Sequence, residues 1–474
     1  MLARKSEYED QKVGFFDNLY ITSIHHIKVL YNPYSYKGQL LLKKEVYSAL
    51  KKLLTGMYTY RECGILLTKE LPYLDKKSSR KILEDLMEYD LLSFDNKKNY
   101  LHFNPSVSGK MLAFWIDITN QCNFRCTYCF VDKKKEVINV DKFKKFLSRL
   151  SELREKYPYT KLNFILSGGE PLLYLDTLKK VVLQIKQFEK NHKNLSVDKN
   201  VITNGTLLTK ENVIFFKENR VHVNISLDGI EKYNDVTRKF IKGDISTFPY
   251  IMKGIKLAQT EGVLGAVATT VTSKNIEHLP KLARFLVKEG IKFQFQFYKE
   301  SSQFCRESPL ALTDKSIDYY LKAIKTVYSM YKVRDMKNRS TSFIDFAHSN
   351  TPTSITKQGC SAGNIEYTVT TNCEIKVCPA SEVKIPFDKA FDFIAAIKEK
   401  NPEFVHFSVE NNPICNKCLW KYQCKGRCKL EMMRSGTLNG IPHRCAFYKK
   451  LFPLVVKLEA ERIVSTNVLA LAKK

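Results

Sequence analysis

Asp117 to Phe130 reads DITNQCNFRCTYCF, and its three cysteines decide how the rest of the chain is read. Cys122, Cys126 and Cys129 stand in the spacing Cys-x3-Cys-x2-Cys, directly after Met111 to Ile118, an apolar run that reads as a buried strand. Three thiols are thus gathered where a strand ends. A free thiol titrates near about 8.5, so three crowded thiolates repel unless a cation holds them. Soft thiolate ligands favour zinc, copper or an iron-sulfur cluster. A closed four-ligand site wants a further Cys or His nearby, and none follows on this loop before His192. The pattern predicts a metal site with one open position.

Composition bounds the surroundings of that site. A chain of 474 residues that is 44% hydrophobic has material for two or three domains with real cores. Arg4, Lys5, Glu7, Glu9, Asp10 and Lys12 leave no apolar signal-peptide centre, and no run approaches the length of a membrane span, so a cytoplasmic protein without a membrane partner is expected. The 13 cysteines are bunched in two zones, which in a reducing compartment points to metal binding or catalysis. The formal charge of +28 fits either an acidic partner or a lysine bias spread over solvated faces. No basic stripe is interleaved with aromatics at regular spacing, which favours the lysine bias and disfavours nucleic acid.

Residues 16–105 read as a small unit. Asn18 to Thr22, His26 to Tyr31 and Gly38 to Leu42 predict three short strands, with Asn32-Pro33-Tyr34-Ser35 as a turn. Helices are expected over Glu45 to Leu54, Thr59 to Thr68 and Lys76 to Tyr89, then a two-stranded wing from Leu91–Phe94 and Tyr100–Phe103 around Asp95 to Lys98. Strands, three helices and a wing describe a winged-helix module.

Residues 110–310 alternate strand and helix. Strands are expected at Leu112–Ile118, Leu162–Leu166, Val197–Thr203, His222–Leu227, Gly265–Thr270 and Lys292–Phe297, with amphipathic helices near Val140–Leu153, Tyr174–Asn191, Lys210–Asn219, Phe248–Glu261 and Ile276–Glu289. Six such repeats give an α/β fold with a parallel sheet, open or curled into a partial (β/α)6 TIM barrel, whose chemistry sits at the carboxyl ends of the strands. A linker helix (Thr313–Tyr331) and a polar connection occupy 311–358, a cysteine-dense zone fills 359–450, and a C-terminal helix, about Phe447–Leu469, closes the chain across 451–474.

The second expected strand ends in Ser167-Gly168-Gly169-Glu170-Pro171. Two glycines there permit a close ligand approach, and the Glu170 carboxylate offers an acceptor for an ammonium group. Cys-x3-Cys-x2-Cys after one strand and Gly-Gly-Glu-Pro after the next resemble the radical S-adenosylmethionine (radical SAM) superfamily over about 190 residues. The resemblance implies a [4Fe-4S] cluster on Cys122, Cys126 and Cys129 whose fourth iron binds SAM. It also implies Tyr128 beside the adenine, Gly168, Gly169 and Glu170 at the methionyl ammonium, and Ser226, Asp228 and Arg238 at the ribose and carboxylate. Thr203 and Asn204, in Thr203-Asn204-Gly205, fit the same family.

The second cysteine zone runs Cys360-x12-Cys373-x4-Cys378, then Cys415-x2-Cys418-x5-Cys424-x3-Cys428-x16-Cys445. Read bare, its second half suits a structural zinc site. After a radical SAM core it resembles the SPASM extension, which implies two auxiliary [4Fe-4S] clusters, one on Cys360, Cys378 and Cys428, the other on Cys415, Cys418, Cys424 and Cys445. The family pattern has glycine where this chain has Cys373. Either Cys373 completes the first auxiliary cluster, the reading favoured on sequence, or that cluster keeps an open site. Cys63 reads as a buried thiol and Cys305 as a bystander on a loop.

SPASM proteins mostly modify peptides, and a winged helix ahead of the core resembles the recognition element of maturases of ribosomally made peptides (RiPPs). It implies a leader bound along His26 to Leu42 and the Lys76–Tyr89 helix. The expected function is a radical SAM/SPASM peptide maturase that installs a thioether or carbon-carbon crosslink in a precursor peptide, supplied with electrons by a flavodoxin- or ferredoxin-type donor. One alternative is an anaerobic sulfatase-maturing enzyme, which usually carries an aspartate where Pro379 stands. The other is a zinc-dependent nucleic-acid-binding protein.

Overall fold

A computed structural model describes residues 8–94 apart from 36, 111–299, 308–330 apart from 314 and 315, 357–387 apart from 358, 392–442 apart from 435–437, and 444–471. The first stretch contains β1 (Lys12–Phe15), β2 (Tyr20–Ile24), β3 (Ile27–Tyr31), β4 (Gln39–Lys43), α1 (Lys44–Leu53), β5 (Thr55–Thr59), α2 (Tyr60–Glu70), α3 (Lys76–Glu88) and β6 (Leu92–Phe94). The expected turn forms because the Asn32 side chain accepts from Tyr34 N–H (2.8 Å) while Ser35 N–H closes back on the Asn32 carbonyl (3.0 Å). It joins β3 to β4, and β2, β3 and β4 make an antiparallel meander. Thr59 and Glu62 form a capping box at α2, and Asp75 caps α3 through Ser78 N–H. Apolar faces of the three helices meet at Leu50, Leu67 and Leu86, together with Cys63.

Leu92–Phe94 pairs with β1, and β1 pairs on its other side with β5. Neither β1 nor β5 has a long alternating run, so periodicity did not reveal them. Tyr100–Phe103 and its turn lie outside the described residues, as do Cys305 and most of the 338–358 connection.

The larger part alternates strand and helix: β7 (Met111–Thr119), α4 (Val140–Glu152), β8 (Lys161–Gly168), α5 (Leu175–Asn191), β9 (Ser196–Thr203), α6 (Lys210–Glu218), β10 (Val221–Ser226), α7 (Lys232–Asp235), α8 (Phe248–Thr260), β11 (Leu264–Val271), α9 (Leu279–Lys288), β12 (Phe293–Phe297) and α10 (Ile317–Met330). β7 to β12 are parallel and adjacent in chain order, as right-handed βαβ units require. Three strands that the sequence did not announce extend the sheet beyond β7: β13 (Glu366–Val369) runs parallel to β7, then β14 (Glu374–Lys376) and β15 (Lys384–Pro386) turn back antiparallel. At three or four residues each they are too short for a periodic signal. They put part of the cysteine-rich zone in the same sheet as the core, which has nine strands among the described residues.

Along β7 the two faces separate cleanly. Phe114, Ile116 and Ile118 are fully buried, and Phe114 meets the α4 residue Phe146 edge to face with centroids 5.3 Å apart. Each such ring contributes about 1.5–3 kcal/mol of burial. Trp115 and Asp117 alternate with them on the opposite face and are only half buried. That face is polar: Asn200 donates to Asn163 (2.9 Å), and Asn224 donates to Asn200 (3.4 Å).

The N-terminal module docks on the cysteine-rich zone. Trp420 packs against Tyr20 and Tyr31 (centroids 5.0 and 6.0 Å) and stacks on Phe452 of the C-terminal helix Cys445–Leu471 (5.4 Å). Gln423 adds a hydrogen bond to the Pro33 carbonyl (3.2 Å). Among the described residues no helix is long and apolar enough to cross a membrane.

Candidate active site

The loop after β7 is clamped from two sides before any ligand is considered. On one side the Gly-Gly-Glu turn after β8 donates back to it, Gly169 N–H to the Thr119 carbonyl (2.6 Å) and Glu170 N–H to the Gln121 carbonyl (2.7 Å). A Cβ on Gly168 would stand 2.2 Å from the Thr119 carbonyl oxygen, and one on Gly169 would stand 1.9 Å from that of Gln121. Gly168 also has φ +118°, open to glycine alone. The close approach that requires glycine is therefore made by the cysteine loop itself. On the other side residues 123–127 pair strand-like with 237–241, through Arg125 N–H to Lys239 O (2.8 Å), Thr127 N–H to Thr237 O (2.9 Å) and Ile241 N–H to Asn123 O (3.0 Å).

Cys129 lies close enough to Cys122 and Cys126 to oppose the ionisation of both. Burial is the largest influence on Cys126 and pushes its thiol up to about 11, with Asp228, Cys129 and Cys122 adding to the rise and Arg238 working against it. Cys122 is raised likewise, first by burial. Such a set needs compensating positive charge to bind as thiolates.

Glu170 is fully enclosed. One carboxylate oxygen accepts from the Thr203 hydroxyl (2.6 Å) and Leu172 N–H (3.1 Å), and the other from Asn204 N–H (2.7 Å). Burial raises its pKa and these donors oppose the rise. The Asn204 side chain in turn donates to Asn123 on the cysteine loop (2.7 Å). Thr203 and Asn204 thus tie the Glu170 turn to the β9 end and to the loop.

The expected residues after β10 meet Tyr128. Arg238 donates to the Tyr128 hydroxyl (2.6 Å), which donates to Asp228 (2.6 Å). Asp228 also accepts from Thr237 (2.9 Å) and from Thr270 N–H (3.0 Å), so its carboxylate is largely occupied by protein. Burial works against the Arg238 charge, but Cys126, Tyr128 and Asp228 hold the guanidinium firmly cationic. Its Nε is buried with no hydrogen-bond partner among the described residues, an orphan donor suited to an anionic ligand. Ser226 closes β10 beside Ala268 of β11. Asn123, Thr237 and Thr270 were missed on sequence, because only their hydrogen bonds within the fold distinguish them from ordinary turn and strand residues.

The second zone separates into two neighbourhoods. Cys428 interacts electrostatically with Cys360 and Cys378. Lys299 and Lys429 face all three of these thiols. Cys415, pushed up to about 12 mainly by burial, interacts with Cys424, Cys445 and Cys418. Cys373 is fully buried at the other end of β14 from Cys378, with its sulfur 4.0 Å from the Asn139 carbonyl. Its φ is +60°, the left-handed region that favours glycine. Among the described residues no three His, Cys, Asp or Glu side chains converge tightly enough to share a single metal ion.

The Radical SAM superfamily model matches residues 116–286, the span that holds this geometry. Residues 116–286 form a radical SAM domain. An uncharacterized protein of Methanocaldococcus jannaschii is 30% identical over 177 residues, which make up 37% of this chain and 59% of that relative. The cysteine-type anaerobic sulfatase-maturating enzyme of Clostridium perfringens is 26% identical across 70% of this chain and 92% of its own length. The antilisterial bacteriocin subtilosin biosynthesis protein AlbA of Bacillus subtilis is 26% identical across 37% of each chain. The structure of native anSMEcpe with bound AdoMet superposes with TM-score 0.62 at 21% identity, covering 75% of this chain and 99% of that one, which supports the fold. The family of this domain uses a [4Fe-4S] cluster and SAM, and the match over residues 116–286 speaks against the zinc-dependent nucleic-acid alternative.

Proposed function

We propose that this radical SAM enzyme is a SPASM-type maturase that crosslinks a ribosomally made precursor peptide, with the N-terminal module holding the leader. A [4Fe-4S] cluster with SAM, held by these residues, would supply a 5′-deoxyadenosyl radical able to take a hydrogen atom from an unactivated carbon. This chain's own residues hold and orient. Cys122, Cys126 and Cys129 would hold the cluster, and their loop offers no fourth cysteine, in keeping with SAM as a further ligand. Glu170 has an acceptor position left for an ammonium, the orphan Nε of Arg238 suits the SAM carboxylate, and Tyr128 is fixed between Arg238 and Asp228.

Cys360, Cys378 and Cys428 fit one auxiliary cluster, and Cys415, Cys418, Cys424 and Cys445 fit another. Cys373, packed in a glycine-type position at the far end of β14, is assigned to packing and not to ligation, a change from the sequence reading.

The observation that carries the leader reading is the docked module ahead of the radical SAM domain. In its meander β4 is an edge strand, and Gly38 at its start lies against Tyr89 at the end of α3. A leader adding to β4 gains backbone hydrogen bonds and the exposed lysines Lys76 and Lys77 of α3. The test is anisotropy of a labelled precursor encoded beside the gene. Lys77→Glu should weaken binding several-fold and leave peptide-free SAM cleavage unchanged; equal binding rejects the assignment.

One observation favours a second reading, sulfatase maturation: the similarity that spans nearly the whole of the Clostridium perfringens relative. That activity has no evident use for a leader-binding module, and Pro379 offers no carboxylate at the position noted above.

A further inference from the structure

We propose that Asp117, on the polar face of β7, is the catalytic base that receives the proton released from the peptide substrate. Asp117 alternates with Ile116 and Ile118, which are buried on the helix-packed side, so its side chain lies on the face shared with Asn163, Asn200 and Asn224. Its backbone is in register with Ser167 of β8, at the strand end where the Gly-Gly-Glu turn begins. It therefore sits at the depth of the SAM-holding residues, five positions before Cys122. Among the described residues no donor makes a hydrogen bond to its carboxylate, whereas the Glu170 and Asp228 carboxylates accept three each.

Among the described residues few charged groups face it. Lys376 of β14 is the cation, and its ammonium is hydrogen bonded to the Pro379 carbonyl (2.9 Å). Glu366 of β13 is engaged by the Trp115 indole, two residues before Asp117. Burial pushes the Asp117 carboxyl up to about 6, with Lys376 opposing, which keeps it a competent proton acceptor near neutral pH. A half-buried carboxylate without a hydrogen-bond donor among the described residues, at the reacting end of the sheet, is available to a substrate group.

The role rests on the maturase reading above. Its balance is simple: one hydrogen atom of the peptide goes to the 5′-deoxyadenosyl radical, leaving a carbon radical. Bond formation between that carbon and a second group X–H breaks the X–H bond and releases one proton and one electron. The proton goes to Asp117 and the electron to an oxidised iron-sulfur cluster of the cysteine-rich zone.

The test uses the cluster-loaded full-length protein and two probes, the peptide encoded beside the gene and a sulfatase-type cysteine peptide, since oxidation of either releases a proton. Asp117→Asn should lower product formation about 100-fold or more while peptide-dependent 5′-deoxyadenosine formation, iron content and peptide KM stay within a few-fold. Asp117→Glu should restore part of the rate. The wild-type product rate should rise with pH through about 6, and the residual Asn rate should be flat. Product at the wild-type rate in Asp117→Asn, or equal loss of 5′-deoxyadenosine and product at normal iron content, overturns the assignment of Asp117. A wild type that modifies neither probe overturns the maturase reading and the proposal with it.

Discussion

Arg238 donates to the Tyr128 hydroxyl at 2.6 Å, fixing the cysteine loop to the segment that follows β10. Because the same hydroxyl donates to Asp228, Tyr128→Phe removes a partner from two buried charges at once. The expected cost is about 1–3 kcal/mol of stability and a several-fold loss of SAM affinity, with the loop still able to bind iron. Thermal unfolding and equilibrium SAM binding check this. Unchanged SAM affinity would separate the relay from the cofactor site.

Gly169→Ala probes the clamp between two strand ends. Its Cβ would stand 1.9 Å from the Gln121 carbonyl oxygen, and backbone on both sides leaves little room to yield. The variant should keep its secondary structure by circular dichroism yet lose about four irons, one cluster's worth, on anaerobic reconstitution. Full iron loading would show that the loop adapts.

Cys373→Gly distinguishes packing from ligation. Glycine relieves the positive φ, worth about 1–2 kcal/mol, while loss of the buried side chain offsets part of it, so stability should change by about 1 kcal/mol or less. Iron content and the electron paramagnetic resonance spectrum of the reduced clusters should match wild type. A changed auxiliary signal would return Cys373 to the ligand set.

Asp392 gives a pH dependence with a definite sign. It caps residues 393–399 through Ala395 N–H (2.8 Å) and receives Tyr157 (3.0 Å) and Lys156 (2.6 Å). Burial alone would raise its pKa, but the Lys156, Ala395 and Tyr157 donors prevail and the folded value is lowered. A depressed carboxylate stabilises above its unfolded pKa, and that stability fades as pH falls through the folded value. The Tm difference between wild type and Asp392→Asn should be clear at pH 7 and should shrink as the carboxylate protonates below about pH 4. A difference that grows with acidification would refute the assignment.

The parallel core was legible because β7 to β12 and their helices are long enough to show period, and the cysteine spacing marks the end of one strand. The meander and helices of the N-terminal module were legible for the same reason. The need for glycine at Gly168 and Gly169 has a second cause that sequence did not show: a Cβ at either position would run into the backbone of the cysteine loop at Thr119 or Gln121. β1, β5 and β13 to β15 were hidden by shortness. Thr237 and Asn123 were hidden because a buried hydrogen bond between distant residues leaves no local trace. Asp117 stood inside the quoted stretch, but only the face of β7 on which it lies gives it a role.

The most direct test of the central claim is mass spectrometry of the precursor peptide encoded beside the gene after anaerobic coexpression with the enzyme. The account predicts a core two hydrogens lighter per link, with fragmentation suppressed between the linked residues and the loss abolished by Cys126→Ala. An unmodified precursor, together with conversion of a sulfatase-type cysteine peptide to formylglycine by the same preparation, would contradict it.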